Sequence, residues 1–475
     1  MNVLRDLLVQ DMARALLLAA AAFGLTLAVG AWWVRFAWDH ELGKRIRREM
    51  DEGHQVKAGT PTMGGVMIVS TVLLLTLVFN VVDRWSMLLP LAVMVSFGIL
   101  GAIDDWLTIQ STRSKQTDQR VNEAESSLRL AAQLGSQAAS AAQRAAQRLQ
   151  LSPIGRQRAD LARKQESVAA QQASIAGRQS ELSEEVGPLL AAAAPPQAAT
   201  ADHGLSELTK GLLMAVIALI ASLALYLPQP YGLAHEGLVQ IPFFGEVNIG
   251  LWFIPIAVLI ILATAHSVNF TDGQDSLAGW TLTIAFASYG ILTFLAEPRL
   301  TNLMAFSFTV VGACAAFLWY NAHPAQVFMG DLGSLALGAT LAVVALQSQQ
   351  WLLLPVIGFV FVVEGASVAL QKLWFQFLLR TRGRDYAEAN RLFRRAPLHH
   401  HFERPSRPLM RKWEAGGRRG PAPSGLAQTT ITQRFVLVSA VAAMIGISLA
   451  LLFGPPSAGV VHRETAPIAG DVRQP

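Results

Sequence analysis

Apolar runs long enough to cross a hydrocarbon layer of about 30 Å recur along this chain, separated by polar stretches. They fall at 13–36, 64–82, 86–106, 208–227, 249–267, 276–296, 303–320, 333–348, 351–379 and 434–454. The pattern predicts an all-α polytopic membrane protein with about ten transmembrane helices. The run at 333–348 is short, and that at 351–379 is long enough to be tilted or bent. The first run extends from near Ala15 to about Ala37 with no small-residue cleavage site, so it reads as a retained span rather than a secretory signal.

Charge assigns the sides. Loops counted as odd carry Lys44, Arg45, Arg47, Arg48 and Lys57, then Arg113 and the arginines of 120–178, then the dense set from Arg380 to Arg434. Even loops carry Arg84, Arg299 and little else. The bias of basic residues toward the cytoplasm makes the odd loops cytoplasmic and puts both termini outside. Composition agrees: of 475 residues 52% are hydrophobic and 15% charged, and mean hydropathy is +0.38, which excludes an ordinary soluble globule. The single cysteine, Cys314, lies in an apolar run, so no intramolecular disulfide is available and it reads as a packing residue.

Residues 112–203 depart from this pattern, being rich in Ala, Gln, Ser and Arg. Val121, Leu128, Gly135, Ala142 and Leu149 recur every seven residues, and Leu161, Val168, Ile175 and Leu182 do so beyond the helix-stopping "LSPIG". The spacing predicts an inserted antiparallel helical hairpin on the third loop. A disordered polar linker is the other reading, because Gln165, Gln172 and Gln179 occupy the second seam position. "AAAAPPQAATADHG" has the composition of a flexible linker. The chain therefore divides into spans 1–3 (1–111), the insert and its linker (112–203), spans 4–10 with their polar loops (204–454) and a disordered C-terminal tail (455–475).

The polar islands gather on the odd side. "KAGTPTMGG" (57–65) forms a turn with exposed hydroxyls and backbone N–H groups beside Lys57, suited either to a phosphate or to a threonine-capped helix start. "GAIDDWLT" ends a span with Asp104 and Asp105, which are costly there unless they bind a cation or meet bases; Trp106 suits an interfacial anchor. "NFTDGQDSLAG" offers Asn269, Asp272 and Asp275. "NAHPAQVFMGDLGS" offers Asn321 and Asp331, with Phe328 exposed between them and Gly330 and Gly333 permitting close backbone approach.

"APLHHHFE" adds His399, His400 and His401. Three consecutive side chains point in different directions, so they do not all grip one ion and suit hydrogen bonding to an anionic ligand instead. Hard carboxylates without a cysteine or paired-histidine cage favour Mg²⁺ or Mn²⁺ over zinc. With lysines, arginines and glycine turns beside them, they suggest metal-assisted phosphoryl transfer at the cytoplasmic face, Phe328 serving as platform for a nucleotide base. The competing class is a proton-coupled transporter, for which Glu364 in "VVEGASVALQ" is the candidate; the other acids lie at one face rather than mid-membrane.

Together and in this order, the motifs resemble the phospho-N-acetylmuramoyl-pentapeptide transferase family of the polyprenyl-phosphate N-acetylhexosamine-1-phosphate transferase superfamily. The resemblance covers nearly the whole chain outside 112–203. Its most specific parts are "KAGTPTMGG", "VFMGDLGSLALG" and "APLHHHFE", the last separating this family from the wider superfamily. It implies a cytoplasmic-face active-site cleft in a bacterial cytoplasmic membrane. The implied reaction moves phospho-MurNAc-pentapeptide from UDP-MurNAc-pentapeptide to undecaprenyl phosphate, giving lipid I and UMP with Mg²⁺ as cofactor.

By motif, the resemblance implies Asp331 as metal ligand and a catalytic aspartate pair, Asp104 and Asp105, the first deprotonating or positioning the lipid phosphate. It assigns Lys57, Thr62, Lys210 in "GLSELTKG", Asn269, Asp272, Asp275, Asn321 and Phe328 to the uridine nucleotide and its diphosphate, and His399, His400 and His401 to completing the catalytic site. Membrane lipid is an implied partner, a homodimer is an open arrangement, and nucleic acid is not a partner. A related transferase for another UDP-amino sugar is the alternative within the same chemistry; the triple histidine argues against it. Where the family reads "NAVNLTDGLDGLA" this chain has "HSVNFTDGQDSLAG", so His266, Gln274 and Ser276 are departures. The loop after Arg380 is longer than the family's, and the insert is not an expected family feature.

Overall fold

Lipid offers the backbone no hydrogen-bond partner, so an apolar run within it closes its own N–H and C=O groups as a helix. The computed structural model of the chain describes residues 2–40, 42–43, 60–80, 87–111, 205–228, 233, 237–241, 245–296, 300–403 and 425–452, with nine isolated positions between 126 and 174. Helix α1 is Asn2–Asp39 and α2 Gly65–Phe79. α3 is Leu88–Ser111. Then come α4 Glu207–Tyr226, α5 Phe253–Thr271, α6 Leu277–Leu295, α7 Thr301–Asn321 and α8 Gly330–Gln347. α9 Leu354–Ile357 and α10 Phe359–Arg382 are followed by the short α11 Arg384–Ala389 and α12 Leu398–Phe402, and then by α13 Gln428–Leu452. Between α4 and α5, β1 Leu238–Ile241 pairs antiparallel with β2 Gly245–Asn248, Val239 facing Val247.

Every one of the ten apolar runs coincides with a helix. Among the described residues eight helices are long and apolar enough to cross a membrane, or up to nine if Trp351–Ile357 with Phe359–Arg382, bent by 83°, is counted as one broken span. The bend falls in the run at 351–379, which its length marked as tilted or bent. Helix α2 has 15 residues, short of the roughly 20 that a perpendicular span needs.

Helix α8 is the axis of the bundle. Of its apolar window 89% is buried, against 22% for the peripheral α13. It packs on α2, α4, α5 and α6. Small residues make this closeness feasible, since lipid tails are as apolar as leucine and helices associate through packing rather than exclusion from water. Gly333 meets the backbone of Gly65, and a Cβ on Gly338 would lie 2.8 Å from the Ala265 Cα. Gly101 of α3 abuts the backbone of Asp331 and Leu332. Asp104, three residues on, shares that helix face and is carried to the start of α8. On the other side α7 packs with α1, α2 and α6, and Cys314 is buried within it, as a packing residue should be.

The chain forms two compact units, Met1–Leu107 with Leu205–Pro475, and Thr108–Gly204. In the second, the described Ser126, Ser127, Gln133, Gln137, Ser140, Arg144, Ser167, Gln171 and Ser174 are helical and exposed. Arg144 Nε donates to the Ser140 carbonyl at 3.1 Å, one helical turn away. The expected antiparallel pairing, the "LSPIG" turn and the tail at 455–475 lie outside the described residues.

Candidate active site

Four helix ends converge on one ion cluster. Near the C-terminal end of α3 stands Asp104, in the first turn of α4 Lys210, near the end of α5 Asn269 and in the first turn of α8 Asp331. Ser206 caps α4, its hydroxyl accepting the Thr209 N–H, which starts that helix one turn before Lys210. Lys210 Nζ then donates to Asp104 Oδ2 at 2.9 Å and to Asp331 Oδ2 at 2.5 Å. Asn269 Nδ2 donates to Asp331 Oδ1 and to Ser334 Oγ, both at 2.9 Å. The Leu205 N–H donates to Asp104 Oδ1 at 3.0 Å. The three charged side chains are 13%, 15% and 20% exposed, so water screens them only partly and still reaches them. Asp104, the first acid at the end of the third run, thus meets a base, one of the two conditions for its being there.

Two further aspartates hold the start of α8. Asp105, fully buried, accepts the Leu332 N–H at 3.2 Å on Oδ2, and Asp272 Oδ2 accepts the Gly330 N–H at 3.2 Å. Carboxylates at a helix N-terminus are favoured by its unpaired N–H groups and its dipole. Gly330 is obligatory: its φ is +75°, and a Cβ there would lie 2.6 Å from Asp105 Oδ2 and 2.7 Å from Thr62 Oγ1.

The expectation of exposed hydroxyls in "KAGTPTMGG" fails. Thr60 and Thr62 are buried, at 6% and 1% exposure. Backbone pairing draws this turn inward: Thr62 N–H donates to the Leu42 carbonyl, Phe328 N–H to that of Pro61, and Gly64 N–H to that of Phe328. Phe328 is half-buried rather than exposed for the same reason. Lys57 lies outside the described residues.

Asn321 does not project into a cleft. It is 3% exposed; its Oδ1 accepts the Ser276 N–H and its Nδ2 donates to the Val327 carbonyl, each at 2.8 Å. It locks Ser276 in the left-handed conformation, φ +67°, one that a residue with a Cβ adopts at a cost. Asp275, also buried, meets His323 Nδ1 at 2.7 Å and the Ala325 N–H at 3.3 Å. His323 was missed from sequence, although it lies two residues after Asn321 in the same polar island.

Two of the three histidines stay together and one parts from them: the His399 and His400 rings pack with centroids 4.1 Å apart and both border Gly273, while His401 lies against Phe393. His399, fully buried, places Nδ1 3.2 Å from Glu364 Oε2, and its N–H donates to Glu364 Oε1 at 3.1 Å. Burial holds this imidazole below the ordinary histidine range despite the pull of Glu364. His400 Nδ1 lies 3.0 Å from Glu403 Oε2. His401 accepts the Arg394 N–H at 3.2 Å and lies edge-on to Phe393; partial burial and Arg394 lower its pKa. Gly273 packs against His399, bringing this loop to the Asp272–Ser276 turn. Glu364 is accordingly a structural partner of His399, which removes the feature that favoured a carrier.

Among the described residues no three His, Cys, Asp or Glu side chains form a ready-made metal cage. The donors around Lys210 are nevertheless hard carboxylate and amide oxygens. Mg²⁺ is commonly held by one or two carboxylates plus substrate phosphates, so the set fits that ion.

A transmembrane bundle with an acid–lysine cluster at the helix ends has the character of a polytopic membrane transferase, and the comparisons agree. Residues 200–349 match the glycosyl transferase family 4 model, and 57–69 match phospho-N-acetylmuramoyl-pentapeptide-transferase signature 1. A phospho-N-acetylmuramoyl-pentapeptide-transferase of Chloroflexus aurantiacus is 55% identical over 460 residues, 97% of this chain and 96% of its own. One of Chloroflexus aggregans is 55% identical over 456 residues, covering 96% and 95%, and one of Desulfatibacillum aliphaticivorans is 30% identical over 406 residues, covering 82% and 85%. The chain belongs to the phospho-N-acetylmuramoyl-pentapeptide-transferase family. The near-complete mutual coverage with the Chloroflexus relatives means that a segment as long as 112–203 is not peculiar to this chain.

Proposed function

We propose that the protein transfers phospho-MurNAc-pentapeptide from UDP-MurNAc-pentapeptide to undecaprenyl phosphate, releasing UMP and leaving lipid I in the membrane. The observation that carries this reading is the Lys210 ammonium held between Asp104 and Asp331 at converging helix ends, in a chain of this family. An oxygen of the lipid phosphate attacks the sugar-linked phosphorus. The bond from that phosphorus to the bridging oxygen breaks, and the electron pair leaves with UMP. Asp104 orients the attacking phosphate and takes any proton it carries. Lys210 offsets the negative charge that gathers as three phosphates approach. Asp272, Asp275, Phe328, Thr62 and Lys57 belong to the nucleotide side, Asn321 holding their turn, and His399 to His401 to the diphosphate side. Asp331 would hold Mg²⁺, which supplies neutralisation of diphosphate charge when bound; Asp105 keeps the start of α8 in place.

The excess of Lys and Arg on odd loops supports a cleft facing the cytoplasm of a bacterial inner membrane. Partners are the two substrates and surrounding lipid, with a homodimer an open arrangement. The test is UMP release from UDP-MurNAc-pentapeptide by purified protein with undecaprenyl phosphate and Mg²⁺. Release from another UDP-amino sugar, with UDP-MurNAc-pentapeptide inert, would transfer the assignment to the related transferases.

A further inference from the structure

Glu403 and Gln274 form a second polar centre, away from the Lys210 cluster. Gln274 Nε2 donates to Glu403 Oε1 at 2.8 Å, linking the turn between α5 and α6 to the end of the histidine helix across 129 residues of sequence. Both side chains are buried, at 3% and 5% exposure. The amide orientation is set chemically: its nitrogen faces a carboxylate, and its oxygen faces the Thr432 hydroxyl at 3.4 Å. Glu403 in turn takes the Gln428 amide on Oε1 at 3.3 Å, and its Oε2 lies 3.0 Å from His400 Nδ1, a close contact rather than a hydrogen bond, and 3.9 Å from the Arg395 guanidinium.

One carboxylate therefore hydrogen-bonds a turn residue on one oxygen and lies against a histidine and Arg395 on the other. We propose that Gln274 is a positioning residue that, through Glu403, sets His400 against the Asp272–Asp275 turn and so fixes the spacing between the nucleotide and diphosphate halves of the site. This rests on the function proposed above, in which one substrate spans both halves. A substrate reaching both should feel a loss of spacing, and a ligand confined to the nucleotide half should not. Leucine at 274 is of similar size and removes this tie together with the acceptor of the Thr432 hydroxyl, which still donates to the Asp275 carbonyl at 3.3 Å, while Glu403 keeps its contacts with Gln428, His400 and Arg395.

The experiment measures the affinities of the full-length protein in detergent for UDP-MurNAc-pentapeptide and for UMP by calorimetry, with KM and kcat for transfer alongside. Gln274→Leu should weaken UDP-MurNAc-pentapeptide by up to about tenfold, the scale of one hydrogen bond to a charged group, while UMP affinity and kcat change little. Gln274→Glu, which sets two carboxylates together, should weaken it further, and Q274E/E403Q, which restores a donor–acceptor pair in reverse, should recover much of the loss. Unchanged sugar-nucleotide affinity in Gln274→Leu, an equal loss for UMP, or a double variant no better than Gln274→Glu would each overturn the proposal. A parent protein that binds UDP-MurNAc-pentapeptide without transferring it refutes the function alone; one that binds neither ligand refutes both.

Discussion

Lys210 Nζ lies 2.9 Å from Asp104 Oδ2, joining the first turn of one helix to the end of another 106 residues earlier in the chain. The same ammonium reaches Asp331, so removing it leaves two carboxylates facing one another with no cation between them. Lys210→Gln is expected to lower kcat by about 100-fold or more, the scale for losing one preorganised charge-stabilising donor. UMP release at saturating substrates reads this directly, and a change confined to KM would mean that Lys210 only binds substrate.

Asp104→Asn keeps the shape and removes the base. Transfer should cease while UDP-MurNAc-pentapeptide still binds with nearly parental affinity, because the carboxylate acts on the lipid phosphate. Isolation of a phosphosugar–aspartate adduct would instead establish a covalent route.

Asp331→Asn removes an anionic donor from the proposed Mg²⁺ site. At 20% side-chain exposure and at a helix start, the substitution leaves the core intact. Turnover should fall by about 100-fold or more while thermal stability in detergent holds. Parental activity at saturating Mg²⁺ is the outcome that removes Asp331 from this role, and chelation of divalent ions should abolish parental turnover.

His399 predicts an acid limit to stability. Burial lowers its pKa below the ordinary 6.5, against Glu364 and Glu403 and aided by His400, so just below that pH the unfolded chain binds a proton that the folded one refuses. Stability is then full above pH 6.5 and declines as pH falls through the folded pKa. Melting temperature compared at about pH 7.5 and about pH 5.5 checks this, and His399→Gln should shrink the difference; an unaltered difference would assign the acid sensitivity to other groups.

Replacing 113–203 with a few Gly and Ser residues should preserve transfer. The motif residues lie before and after the insert, and the insert itself supplies none of them. Loss of activity in a correctly inserted, monodisperse protein would show that the insert shapes the site.

Local pattern decided much of this protein. Apolar runs had to become helices because a bilayer leaves backbone groups no other partner, and they did so wherever the sequence placed them. Motif residues such as Asp104, Asp331 and Asn269 were legible because charge and amide groups at the ends of apolar runs are conspicuous. Periodicity, however, reports the medium around a residue and not its partner. Only the convergence of α3, α4, α5 and α8, with α3 and α5 brought close to α8 at Gly101 and Gly338, put Lys210 between two aspartates 106 and 121 residues away. Only the fold enclosed Thr62 and Asn321, paired Glu364 with His399 and tied Gln274 to Glu403. Those pairings depend on which faces small residues allow to meet, a property shared between segments distant in the chain and written in none of them alone.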